Sequence, residues 1–67
     1  MRIEIEQEND GRWLAEISAM PGALAYGDSP EEAADKVKAL ALRVLADRLE
    51  HGEPVDETVA DWFTVMA

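Results

Sequence analysis

The stretch Gly27-Asp28-Ser29-Pro30-Glu31-Glu32-Ala33 decides the fold of this chain. Ser29 suits a helix N-cap, and Pro30 then falls on the first helical position, where a missing N–H costs nothing. Glu32 stands three residues after Ser29 and completes a capping box. Glu31 and Glu32 place negative charge on the positive end of the helix dipole. No proline or glycine then interrupts the chain until Gly52, which supplies a stop, and Arg48 puts positive charge near that end. The spacing predicts one long helix of about five or six turns, ending near Leu49.

Plotted on a helical wheel, Ala33, Val37, Leu40, Ala41, Val44 and Leu45 form an apolar stripe. Leu42 and Leu49 lie at its edge and widen it to roughly 200°, against the about 100° that one sheet face needs. Arg48 falls inside this arc, where its long stem can lie on apolar surface while its charge reaches water or an interface. Alanines can pad a stripe without meaning. The surplus width points instead to a second contact, either self-association or a partner.

Upstream, Arg2 to Glu8 alternates, with Ile3 and Ile5 on one side and Arg2, Glu4, Glu6 and Glu8 on the other. That period predicts a strand with one face on the core and one in water. Asn9-Asp10-Gly11 predicts a tight hairpin. Arg12 to Ala19 is the expected return strand. Trp13, Ala15, Ile17 and Ala19 share the core parity, and Leu14 and Glu16 share the outer one. Met20-Pro21-Gly22 suits a type II turn or a bulge. Ala23 to Tyr26 reads as a short third strand running into the helix.

Downstream, residues 52–57 carry Gly52 and Pro54 and read as a loop. Thr58 to Met66, with Val59, Trp62, Phe63, Thr64 and Val65, is expected to be a last strand. Trp62 and Phe63 are adjacent, so a strand turns one to the core and leaves the other exposed or covered by something else. The order is strand, strand, strand, helix, strand. It predicts an α+β two-layer β-β-β-α-β sandwich, a mostly antiparallel sheet with one long helix on one face. The fourth strand is expected beside the first and parallel to it. Residues 1–67 form a single domain.

The net charge is −9, from 15 acidic and 6 basic residues. Phosphate neutralisation needs clustered Lys and Arg, so direct nucleic-acid binding is not expected, nor is an anionic membrane surface. An acidic surface serves solubility, and it also favours encounter with a basic partner. The chain has no cysteine, no signal peptide and no apolar run long enough to span a bilayer, and is expected to be cytoplasmic. Enzymatic chemistry is not expected. There is no phosphate-binding glycine loop or nucleophile elbow, and His51 stands alone. Glu4, Glu6 and Glu16 on the wet sheet face invite a two-metal reading, but a solvated strand face is the ordinary reading of such residues. No metal or other cofactor is expected.

One ordered set of residues resembles a known family. It comprises Asp10-Gly11, Trp13-Leu14-Ala15-Glu16-Ile17, Pro21-Gly22 and Gly27-Asp28-Ser29-Pro30-Glu31-Glu32-Ala33, with Gly52-Glu53-Pro54-Val55 as an imperfect echo of a later segment. Together these resemble the HicB antitoxin family, a small truncated ribonuclease-H-like domain. The position after Pro21-Gly22, often cysteine in that family, is Ala23. Many members carry a C-terminal DNA-binding domain, which is not expected here. The resemblance implies a non-catalytic protein that binds and neutralises a small basic HicA-like ribonuclease toxin. It also implies a homo-oligomer, a dimer or tetramer. The alternative is a stand-alone homo-oligomeric module with an unknown ligand or scaffolding role. Candidate interface residues, toward a partner or another copy, are Leu42, Arg48, Leu49, Trp62 and Phe63.

Overall fold

The structure, a computed structural model, describes residues 1–66. Strands β1 (Ile3–Gln7), β2 (Trp13–Ile17) and β3 (Leu24–Gly27) precede helix α1 (Pro30–Glu50), and a short helix α2 (Glu57–Ala60) follows. The sheet is an antiparallel meander in the order β1-β2-β3. With α1 on one face, it is the α+β arrangement expected from the sequence.

Each turn uses the residue its geometry requires. At the first, Gly11 takes φ +91° and its N–H donates to the Glu8 carbonyl at 3.0 Å. The Asp10 carboxylate accepts from the Arg12 backbone N–H at 3.0 Å, which locks the bend. At the second, the Ala23 N–H closes onto the Met20 carbonyl at 2.9 Å, with Pro21 and Gly22 between them and Gly22 at φ +87°. This is the type II pattern. That turn ends β2 at Ile17, two residues earlier than expected. It also exchanges two side chains: Met20 is buried, whereas Ala19 faces solvent.

Helix α1 begins as its residues dictate. The Ser29 Oγ accepts from the Glu32 N–H at 3.0 Å. The Glu32 carboxylate accepts from the Asp28 N–H at 3.3 Å, one residue earlier than in the reciprocal box. Gly27 lies directly beneath this first turn. A Cβ placed there would lie 2.5 Å from the Ala33 nitrogen, so only glycine lets the helix start so close to the sheet. The far end is a Schellman motif: the Glu53 N–H reaches the Arg48 carbonyl at 2.8 Å and the Gly52 N–H the Leu49 carbonyl at 3.2 Å, with Gly52 at φ +69°. The His51 ring stands against the Asp47 carbonyl at 2.8 Å, so the lone histidine completes a helix end.

The core is narrow. Ala33, Val37, Ala41 and Leu45, one every fourth residue, are buried against Ala15, Ile17, Met20 and Ala23. Leu40 and Val44 are half-buried beside them. Helix α1 lies mainly over β3 and β2. The inner face of β1 is therefore only partly covered, and Ile5, which shares the core side with Ile3, is 43% exposed.

The expected fourth strand is not formed. Glu57–Ala60 is helical and residues 61–66 belong to no strand. The Val59 N–H donates to the Asp56 carbonyl at 3.0 Å, and the Val59 side chain is buried in the core. A short helix thus satisfies this segment locally and places Val59 in the core, while among the described residues β1 pairs only with β2. Ala67 lies outside the described residues.

Candidate functional site

Two surfaces collect the side chains that the fold leaves without intramolecular work. The first is the sheet face turned away from α1. The register sets Glu4 opposite Glu16 and Glu6 opposite Leu14 across β1 and β2, then Glu16 opposite Leu24 and Leu14 opposite Tyr26 across β2 and β3. Three carboxylates, Glu4, Glu6 and Glu16, therefore cluster toward the β1 side of this face, beside an apolar patch of Leu14, Leu24 and Tyr26 toward the β3 side. Like charges directly opposite each other on a sheet are destabilising. Their presence at the Glu4–Glu16 pair is not a folding device. Arg12 closes one corner, with its guanidinium 4.4 Å from the Tyr26 ring centroid and its Nε 2.8 Å from the Asp10 carboxylate. The Arg12 backbone N–H, and then its guanidinium, hold the Asp10 carboxyl below its ordinary range.

Glu4, Glu6 and Glu16 were readable from alternation. Leu24 and Tyr26 were missed as members of this face. The signal was available in β3, whose outward parity follows once Gly27 is fixed under the helix. Among the described residues, no group of three or more acidic or histidine side chains is placed to hold a metal ion.

The second surface lies between α1 and the start of β1. A groove of about 280 Å³ opens between that strand and α1, lined by Met1, Ile3, Ile17, Lys38, Ala41, Leu42, Leu45 and Trp62. Of the interface candidates, Leu42 and Trp62 meet here. Leu49 is 53% exposed on the last turn of α1. Arg48 is half-buried elsewhere, beside Leu40, Val44 and the Met20–Ala23 turn, so its stem covers apolar surface. Trp62 and Phe63 are both exposed, at 58% and 71%. The expectation that a strand would turn one of them into the core is thereby corrected. No strand forms, and Val59 takes the core position instead.

Among the described residues, no helix is long and apolar enough to cross a membrane. Compared with known proteins, the chain matches no family model, no curated protein and no solved structure.

Proposed function

We propose that this chain is a non-catalytic, cytoplasmic binding protein of the HicB-like antitoxin type, which holds and neutralises a small basic ribonuclease toxin. The observation that carries this reading is the open sheet face, where Glu4, Glu6 and Glu16 flank the apolar patch of Leu14, Leu24 and Tyr26. Such a face offers an apolar patch for affinity and an acidic flank for steering and orientation. The net charge of −9 extends the same field over the molecule. The cost of setting Glu4 opposite Glu16 is recovered when a cationic partner stands over both.

The test is co-expression with the product of a neighbouring short basic reading frame. The two chains copurify, and the complex dissociates in high salt because the contact at its acidic flank is electrostatic. Glu4→Lys with Glu16→Lys abolishes capture while the domain still melts cooperatively. Failure to copurify would remove this reading. A stand-alone homo-oligomeric module is the second reading, and exposure of Leu42, Leu49, Trp62 and Phe63 on one small domain favours it.

A further inference from the structure

Strand β1 has one neighbour. Among the described residues it pairs only with β2, and α2 does not approach it. The pairing fixes which of its backbone groups are used. The Glu8 N–H donates to the Arg12 carbonyl at 2.7 Å, and the same register sets Glu6 opposite Leu14 and Glu4 opposite Glu16. Bonded and non-bonded pairs alternate in an antiparallel ladder. Glu4 and Glu6 therefore direct their N–H and C=O groups to β2, whereas Ile3, Ile5 and Gln7 direct theirs to the opposite, unpaired edge.

Side chains along that edge are sorted by face. On the α1 side stand Ile3 and Ile5. Helix α1 lies mainly over β3 and β2, and Ile5 stays 43% exposed although it shares the core side. On the other side stand Glu4 and Glu6, both exposed, with Glu16 beside Glu4. The ion pairs of the described residues involve none of these three carboxylates. An extended segment added to the edge covers Ile5 on one face. On the other it sets its side chains about 4.5–5.5 Å from Glu4 and Glu6.

Charge decides what that segment is. A second copy's β1, added antiparallel, brings its own Glu4 and Glu6 to the same face, and like charges across a sheet repel. A cationic segment reverses the sign. Given the basic partner proposed above, on which this rests, we propose that the β1 edge takes an extended segment of that partner in which cationic and aliphatic side chains alternate. The partner thereby adds a fourth strand to the sheet. The backbone groups of Ile3 and Ile5 supply ladder hydrogen bonds, and the two faces set the pattern: lysine or arginine beside Glu4 and Glu6, an aliphatic residue over Ile5.

The probe is a synthetic seven-residue peptide of alternating lysine and valine with blocked ends, titrated at low salt and followed by amide NMR. The Ile3, Ile5 and Gln7 amides shift and become protected from exchange. A peptide of the same composition with all its lysines before its valines binds at least about tenfold more weakly. Two further peptides are N-methylated, one on the valines and one on the lysines. A strand bonds its neighbour through alternate residues only, so one methylated form loses binding by about tenfold or more and the other keeps it. Ile5→Pro removes an edge-facing donor and abolishes binding with unchanged helical circular dichroism; if that chain does not fold, the methylated pair still decides. Equal binding by both methylated forms, a response confined to the Glu16 and Tyr26 amides, or no binding overturns strand addition. A basic chain that copurifies while the edge amides stay unchanged keeps the toxin-binding reading and removes strand addition. Peptide bound at the edge with no copurifying chain does the reverse.

Discussion

Trp13–Ile17 and Trp62–Met66 are stretches of equal length, each opening on tryptophan, and the second is the richer in residues that favour strands. The first is the central strand of the sheet, and the second belongs to no strand. Propensity ranks them the wrong way round, and partners decide. Trp13–Ile17 is flanked by two tight turns that return neighbours on both sides, and its alternate residues meet the helix face. Trp62–Met66 follows a helical turn that commits Val59 to the core, and residues 61–66 pair with no strand. A strand is a property of pairing, and a strand-like sequence without a neighbour does not become one.

That contrast is broken most directly at the centre of the packed region. Val37 is fully buried. Val37→Glu places an unpaired charge there at a cost on the order of 4 kcal/mol, comparable with the whole stability of so small a domain. The cooperative thermal transition followed by circular dichroism is lost. Leu42→Glu and Leu49→Glu, on exposed positions of the same helix, keep the transition and weaken association instead. Equal loss of folding in all three variants would show that the whole arc is core.

Gly27→Ala tests the close approach of helix and sheet. Its methyl would lie 2.5 Å from the Ala33 backbone nitrogen, so α1 must shift, at about 2 kcal/mol by urea denaturation. Ser29→Ala removes the cap on Glu32 and costs about 1 kcal/mol in the same measurement. In the segment that pairs with no strand, Val65→Asp changes the stability of the dilute chain by less than about 0.5 kcal/mol, because no folded contact is lost there.

A smaller effect depends on pH. The Lys36 ammonium, 3.0 Å away, and then the Asp28 N–H hold the Glu32 carboxyl below its ordinary value of 4.5. A carboxyl with a lowered folded value contributes stability above its unfolded value and loses it as pH falls through the folded one. Thermal melts of Glu32→Gln and the unmodified chain therefore differ at neutral pH. They converge in acid, once pH has fallen through the lowered folded value.

How much of this was legible follows from where each signal is local. Helix α1 was readable nearly to the residue, because Ser29, Pro30, Glu32 and Gly52 act on their own neighbours. So were both turns, through Gly11 and Gly22. The end of β2 was misread because the turn after Ile17 swaps Ala19 for Met20, an event that alternation cannot register. The fourth strand failed for the reason already given: its partner edge is not determined by its own residues. At the candidate surfaces, Leu42 and Leu49 were readable as surplus on a helix wheel. The groove was not, since it depends on α1 lying over β3 and β2 and leaving β1 partly bare. Trp62 and Phe63 were singled out as aromatics, but their common exposure appeared only when the strand did not.

Amide hydrogen exchange in dilute solution tests the central claim most directly. Amides of Ala15 and Ile17 are predicted to stay protected, and those of Phe63 to Met66 to exchange freely. Protection of residues 63–66 to the level of Ala15 and Ile17 would contradict it.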